Sequence, residues 1–247
     1  MKIKKRLLAS LFIIAMLFTS IGIAQEKEKK KYGMVEIVYV LPKIGMEKAF
    51  VNAITEHNNM YHKEGPYKGH LDYILTGEEA GWYVWAMGPC MFSDLDNRPG
   101  EGAHTEHWAN TVAPKVKKYG RTEYWRYNEK LSYKFDDTPP KYENIWFINI
   151  KRGDYYRFKS LMTKIKEAYK KKGDENIQVY DNQFRAGDGR DVAILWAFNS
   201  WAEFDDDESI KKYYEEINGE GSWENAMDEW TEISVSINSQ VWEHGVK

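Results

Sequence analysis

Imidazole is the side chain best suited to chemistry near neutral pH, because it titrates there and its neutral ring nitrogen accepts a proton or a metal. The chain has six histidines, and five of them, His57, His62, His70, His104 and His107, fall in its first half; the sixth is His244. His57 stands in the apolar series Met46, Ala49, Phe50, Ala53, Ile54, His57, Met60, Tyr61, which recurs at helical intervals. His104 precedes Trp108 by one helical turn, and His104 and His107, three apart, share a helix face. A titratable ring in an apolar layer needs a polar partner. His57 and His104 are therefore the candidate catalytic pair, with Tyr39, Trp85 and His107, and Cys90 beside them, as the candidate ligand-binding wall. The plainer alternative is a satisfied core His57, with His104 and His107 on a solvent-facing loop. His62 and His70 flank Gly65-Pro66 and are expected at the surface.

A metal needs about three ligands of matched geometry. His104-x-x-His107 offers two and spacing fixes no third, so no metal is assigned, and nothing names a cofactor. Asp205-Asp206-Asp207-Glu208 lacks the glycine and spaced ligands of a calcium loop and reads as the acidic first turn of a helix. Phosphate-binding glycine loops, nucleophile elbows and paired cysteines are absent from the sequence.

The elements that must position these residues occur twice. Val35-Glu36-Ile37-Val38-Tyr39-Val40-Leu41, then Gly45 and a helical pattern, matches Asn144-Ile145-Trp146-Phe147-Ile148-Asn149-Ile150, then Gly153 and another. Trp85 matches Trp196, Trp108 matches Trp223 and Trp125 matches Trp242, in order and with a slowly growing offset. Such ordered landmarks indicate a duplication, and tryptophans at matched positions read as core. Each copy predicts strand, helix, strand, strand, helix, strand. The second helix of copy one carries Trp108, Val112, Val116 and Tyr119, with Pro114 a kink or start; that of copy two carries Trp223, Met227, Trp230 and Ile237. An extra helix is expected over 208–217.

The order βαββαβ is the ferredoxin-like arrangement, with both helices on one sheet face. The other face is also apolar, so two copies would cover each other, sheet to sheet. At this point the chain resembles the dimeric α/β-barrel superfamily in a tandem single-chain form, a group that includes antibiotic-biosynthesis-monooxygenase-like and stress-responsive barrel domains. The fold class expected is α+β: two tandem ferredoxin-like units forming a pseudo-dimeric barrel, over residues 34–133 and 142–247, joined by a linker at 134–141. The resemblance also implies candidate chemistry. Haem-degrading members use a strand Asn, a strand Trp and a helical His. Trp85 and His104 or His107 match the last two, but the first strand of copy one has no Asn. Other members oxygenate phenols without a cofactor, a reaction for which His57 would be the base.

Residues 1–24 read as a secretory signal, with a cationic start, an apolar run from Leu7 to Ile23, and small Gly22 and Ala24 before Gln25. A polar leader follows over 25–33. Processing removes four basic residues and leaves 31 basic against 38 acidic. An acidic surface of that kind disfavours nucleic acid. Lone Cys90 can make no internal disulfide. The expectation is a periplasmic or secreted monomer with an internal pseudo-two-fold, not inserted in the membrane once processed, that binds a small molecule in its first unit. A monooxygenase-like enzyme and a ligand-free interaction module are the alternatives.

Overall fold

The computed structural model describes residues 32–134, 138–185, 189–205 and 208–247. The expected signal, most of the polar leader, Asp136-Asp137 of the linker and Asp206-Asp207 of the acidic run lie outside the described residues. Among the described residues no helix is long and apolar enough to cross a membrane.

Eight antiparallel strands close into one barrel. They are β1 (Met34–Pro42), β2 (Gly69–Ile74), β3 (Tyr83–Cys90), β4 (Val116–Tyr127), β5 (Tyr142–Ile150), β6 (Gln178–Asn182), β7 (Val192–Phe198) and β8 (Ser234–Glu243). Around the barrel the order is β1-β3-β2-β8-β5-β7-β6-β4. In place of two sheets laid face to face, strands of the two halves join at their edges. Tyr73 and Ile74 of β2 pair with Glu243 and Trp242 of β8, and Trp125, Arg126 and Tyr127 of β4 pair with Asn182, Asp181 and Tyr180 of β6. Edge closure satisfies backbone N–H and C=O groups that two stacked sheets would leave open.

Side-chain alternation then divides the core. Ile37, Tyr39, Ile74, Val84, Ala86 and Trp125 turn into the barrel and meet Ile145, Phe147, Ala193 and Trp242 there in one cluster. Val40, Leu71, Tyr83, Trp85 and Met87 turn outward, onto Phe50, Val51, Ala53 and Ile54 of helix α1 (Glu47–Tyr61). An equivalent outer layer covers the second half, where Phe158, Leu161, Met162 and Ile165 of α4 (Tyr155–Lys172) pack on Ile148, Val179, Val192 and Ile194. The tryptophan pairs matched in sequence occupy corresponding elements: Trp85 and Trp196 on β3 and β7, Trp125 and Trp242 facing the barrel interior from β4 and β8.

Short helices complete the set: α2 (Phe92–Leu95), α3 (Ala103–His107), α5 (Ile210–Asn218) and α6 (Ser222–Ile233). α5 is the expected extra helix, starting at its N-cap Ser209, whose hydroxyl accepts the Lys211 amide. Two sequence expectations are corrected. α3 runs into a π-helical turn (Trp108–Val112) and a 3₁₀ turn (Ala113–Lys115), and β4 begins at Val116. Pro114 ends the helix, because it has no N–H to carry the ladder on, so Val116 and Tyr119 belong to a strand. Ile237 likewise lies on β8, 42% exposed. An apolar residue at helical spacing cannot by itself reveal that the helix has already stopped.

Candidate functional site

α1 buries Phe50, Val51, Ala53, Ile54, His57 and Asn58, an i, i+3/i+4, i+7/i+8 face laid on β2 and β3. The helix stops at Tyr61, and the 3₁₀ turn Gly65–Tyr67 with Pro66 sends the chain back. The His62 amide donates to the Asn58 carbonyl at 2.8 Å, and the Gly69 amide donates to the His62 carbonyl at 2.8 Å. This return packs His62 under the helix end, only 4% exposed. Gly69 is required for so close an approach: a Cβ there would sit 3.2 Å from Asn58 Oδ1, 3.2 Å from His62 Cβ and 3.3 Å from Trp85 Nε1. From the other side α3 presents His104 and His107 along one face.

Four imidazoles meet between these elements. His57 Nε2 lies 3.2 Å from His104 Nε2, and His62 Nε2 lies 3.1 Å from the same atom. His57 Nδ1 is 3.1 Å from His107 Nδ1, and His107 Nε2 faces Glu56 Oε1 at 3.6 Å. His62 Nδ1 is 2.9 Å from the Tyr67 carbonyl. The Nδ1 of His104 is buried with no hydrogen-bond partner. Tyr61 edges the cluster, its ring centre 5.0 Å from that of His57 and 5.1 Å from that of His104. Its hydroxyl donates to the Ala103 carbonyl. Trp85 lies beneath, 5.0 Å from the His62 ring, with its Nε1–H donating to Asn58 Oδ1 at 2.9 Å.

Burial sets the charge state of this cluster. Desolvation, followed by the neighbouring imidazoles of His104, His62 and His107, lowers His57 to about 3. Desolvation also lowers His62 and His104, and Arg98 adds to both shifts. At neutral pH these rings are uncharged donors of nitrogen lone pairs. His57, His62 and His104 each offer one nitrogen within a 4.8 Å group, the geometry of three metal ligands.

The sequence reading thus brings together His57, His104, His107 and Trp85. It fails for Tyr39. In the β1–β3 register Val38 opposes Trp85, while Tyr39 opposes Val84, so Tyr39 points to the opposite face, into the barrel. There its hydroxyl accepts from Arg190 at 2.6 Å, and burial pushes the phenol above its ordinary range. Cys90 is buried at the end of β3, its thiol pushed up to about 11 by desolvation. Between α1 and α3 the imidazoles are in mutual contact. Clefts of about 540 and 290 Å³ lie on the second half, beside α5 and beside Asn149 and Asp191.

His62, at 4% exposure, corrects the surface expectation, whereas the His70 side chain stays 34% exposed. His70 and Asp72, two apart on β2, share a face as strand alternation requires. His70 Nε2 lies 3.2 Å from one Asp72 oxygen and His244 Nδ1 3.1 Å from the other. Sequence reasoning also missed Glu56, Asn58 and the ion pair of Arg98 with buried Glu36 at 2.7 Å. The i, i+2 spacing could have found His70 with Asp72; no local signal marks the rest.

Solved structures share this architecture. A protein named "putative monooxygenase" from Fusobacterium nucleatum superposes with a TM-score of 0.53 at 10% identity, over 87% of this chain and 93% of its own. Another of that name, from Lactobacillus acidophilus, gives 0.52 at 10% identity, over 87% and 95%. A mutant chlorite dismutase from Candidatus Nitrospira defluvii gives 0.50 at 8% identity, over 87% and 92%. At such identity the likeness is one of fold alone. No protein-family profile matches the sequence, and no curated protein matches it.

Proposed function

We propose that this chain is an exported small-molecule-binding protein of tandem dimeric-barrel type, whose ligand site is the histidine cluster between α1 and α3. The observation that carries this reading is the meeting of His57 Nε2 and His104 Nε2 at 3.2 Å, 47 residues apart in the chain. A core histidine held for packing needs one polar partner; four imidazoles gathered from two elements, with an arginine close by, exceed what packing asks.

Several features support the wider reading. The signal-like residues 1–24 fit a periplasmic or secreted location. The repeated element order and matched tryptophans fit a duplicated ferredoxin-like unit, and closure of the barrel within one chain fits a monomer with an internal pseudo-two-fold. The lining is His57, His62, His104, His107 and Trp85. Native mass spectrometry of protein recovered from its own periplasm or medium tests the proposal. A bound small molecule, lost in His104→Ala, is the expected result; a bare chain mass in every preparation counts against it.

The second reading is an oxygenase-like enzyme, favoured by the Fusobacterium and Lactobacillus proteins of the same fold. Oxygen uptake with aromatic substrates, compared among the wild type, His57→Ala and His104→Ala, tests it. Equal rates in all three would remove both residues from any such reaction.

A further inference from the structure

We infer that His57, His62 and His104 bind one divalent transition-metal ion through their Nε2 atoms. The inference rests on the histidine cluster being the ligand site and names the ion that would hold the ligand there.

The argument is one of proton accounting. The Tyr67 carbonyl can only accept, so the Nδ1 of His62, 2.9 Å away, carries that ring's proton, and its Nε2 is a bare lone pair. On the other side the proton of His57 goes outward in the same way. The tautomers that also serve the Glu56 carboxylate, 3.6 Å from His107 Nε2, have His57 Nδ1–H donating to His107 Nδ1 at 3.1 Å. This leaves the His57 Nε2 lone pair directed inward. Both lone pairs point at one atom, His104 Nε2, at 3.2 and 3.1 Å. A single proton on His104 Nε2 can be given to only one of them. Without a further cation, one close nitrogen pair therefore always meets lone pair to lone pair.

An ion at the meeting point removes the conflict. Nitrogens each about 2.0–2.1 Å from a common ion lie roughly 2.8–3.4 Å apart at octahedral to tetrahedral angles, a range that includes the separations of the His57 and His62 nitrogens from that of His104. The outer partners are of the kind that orient metal-bound imidazoles: a backbone carbonyl behind His62, and an imidazole–carboxylate chain behind His57. Three neutral nitrogen ligands with no carboxylate or thiolate select zinc, cobalt, nickel or copper over calcium or magnesium. Three protein ligands also leave a fourth position for water or a ligand atom.

The other gathering of imidazoles in the chain is different in kind. Each Asp72 oxygen already faces one ring, His70 at 3.2 Å and His244 at 3.1 Å, and Oδ1 also takes the Gly245 amide at 2.9 Å. That arrangement is centred on a carboxylate and is an ion-paired latch.

The test uses the full chain as its host processes it, stripped with a chelator and titrated calorimetrically with Zn²⁺ and Co²⁺. One ion per chain is expected, with a visible Co²⁺ absorption band characteristic of nitrogen ligands. His104→Ala and His104→Gln abolish that binding while circular dichroism stays unchanged, His70→Ala leaves it intact, and His107→Ala weakens it by about 10–100-fold. A wild-type chain that takes up no ion overturns the inference, and so does uptake indifferent to His104. If no ion binds but an organic ligand is still lost in His104→Ala, the metal is excluded and the small-molecule reading stands. Ion uptake without any organic ligand supports the metal and removes that reading instead.

Discussion

Glu36 shows how much a single residue can demand of its surroundings. It lies on β1 at 3% exposure, and its carboxylate takes Arg98 at 2.7 Å and the Tyr124 hydroxyl at 3.0 Å. Arg98→Ala should destabilise the fold by about 1–3 kcal/mol, because it leaves a buried carboxylate short of its cation. Adding Glu36→Gln should recover part of the loss. A denaturant-melt double-mutant cycle reads both, and strictly additive effects would show that the pair is uncoupled. At the same scale Trp85→Phe removes the Nε1–H bond to Asn58 and part of a buried indole. About 1–3 kcal/mol is expected, without loss of secondary structure by circular dichroism.

At the scale of elements, the site depends on how closely α1 and the Gly65–Tyr67 turn approach β2. Gly69→Ala would place a methyl group within 3.2–3.3 Å of Asn58, His62 and Trp85 together. Its backbone does not require glycine, so the cost is steric, about 1–3 kcal/mol for overpacking. A thermal melt should show the loss, and the His62 ring resonances in NMR should shift with it; an unchanged melting temperature would mean that α1 moves away freely. The seam between β2 and β8 is the barrel's slender join, with only Tyr73–Glu243 and Ile74–Trp242 in register. It is extended by Val246, whose amide donates to the Leu71 carbonyl, and by the Asp72 latch to His70, His244 and Gly245.

For the whole molecule, that latch gives stability a pH dependence with a definite sign. Burial alone would raise the Asp72 carboxyl, but the charges and bonds of His70 and His244 outweigh it and hold it below the usual carboxylate range. Its contribution is present above the unfolded value near 3.8 and is lost as pH falls. Burial works against the His244 imidazolium too, yet Asp72, helped by Glu143, raises its affinity for the proton above the ordinary 6.5. Its contribution is complete below 6.5 and is lost as pH rises through the raised value. The latch is therefore strongest in mildly acidic solution, and Asp72→Asn should flatten the stability–pH curve on both sides. Denaturant midpoints taken from pH 3 to 9 check this. The barrel interior joins residues of both halves, with Trp125 and Trp242 in one cluster. Calorimetry should accordingly give one cooperative unfolding transition, and two separated peaks would contradict the shared core.

The sequence by itself determined the alternation of strands and helices and the placing of His57 and His104 on inward faces. These are local properties, written in periods of two and 3.6 residues and in glycine and proline punctuation. Only the tertiary structure decided which faces meet. His62 joins the site because the chain leaves α1 after Tyr61 and doubles back, a direction that no periodicity encodes. Tyr39 leaves it because the β1–β3 register sets Val38, not Tyr39, opposite Trp85. The convergence of three Nε2 atoms likewise depends on distances between segments more than forty residues apart, and packing fixes such distances where local preference cannot.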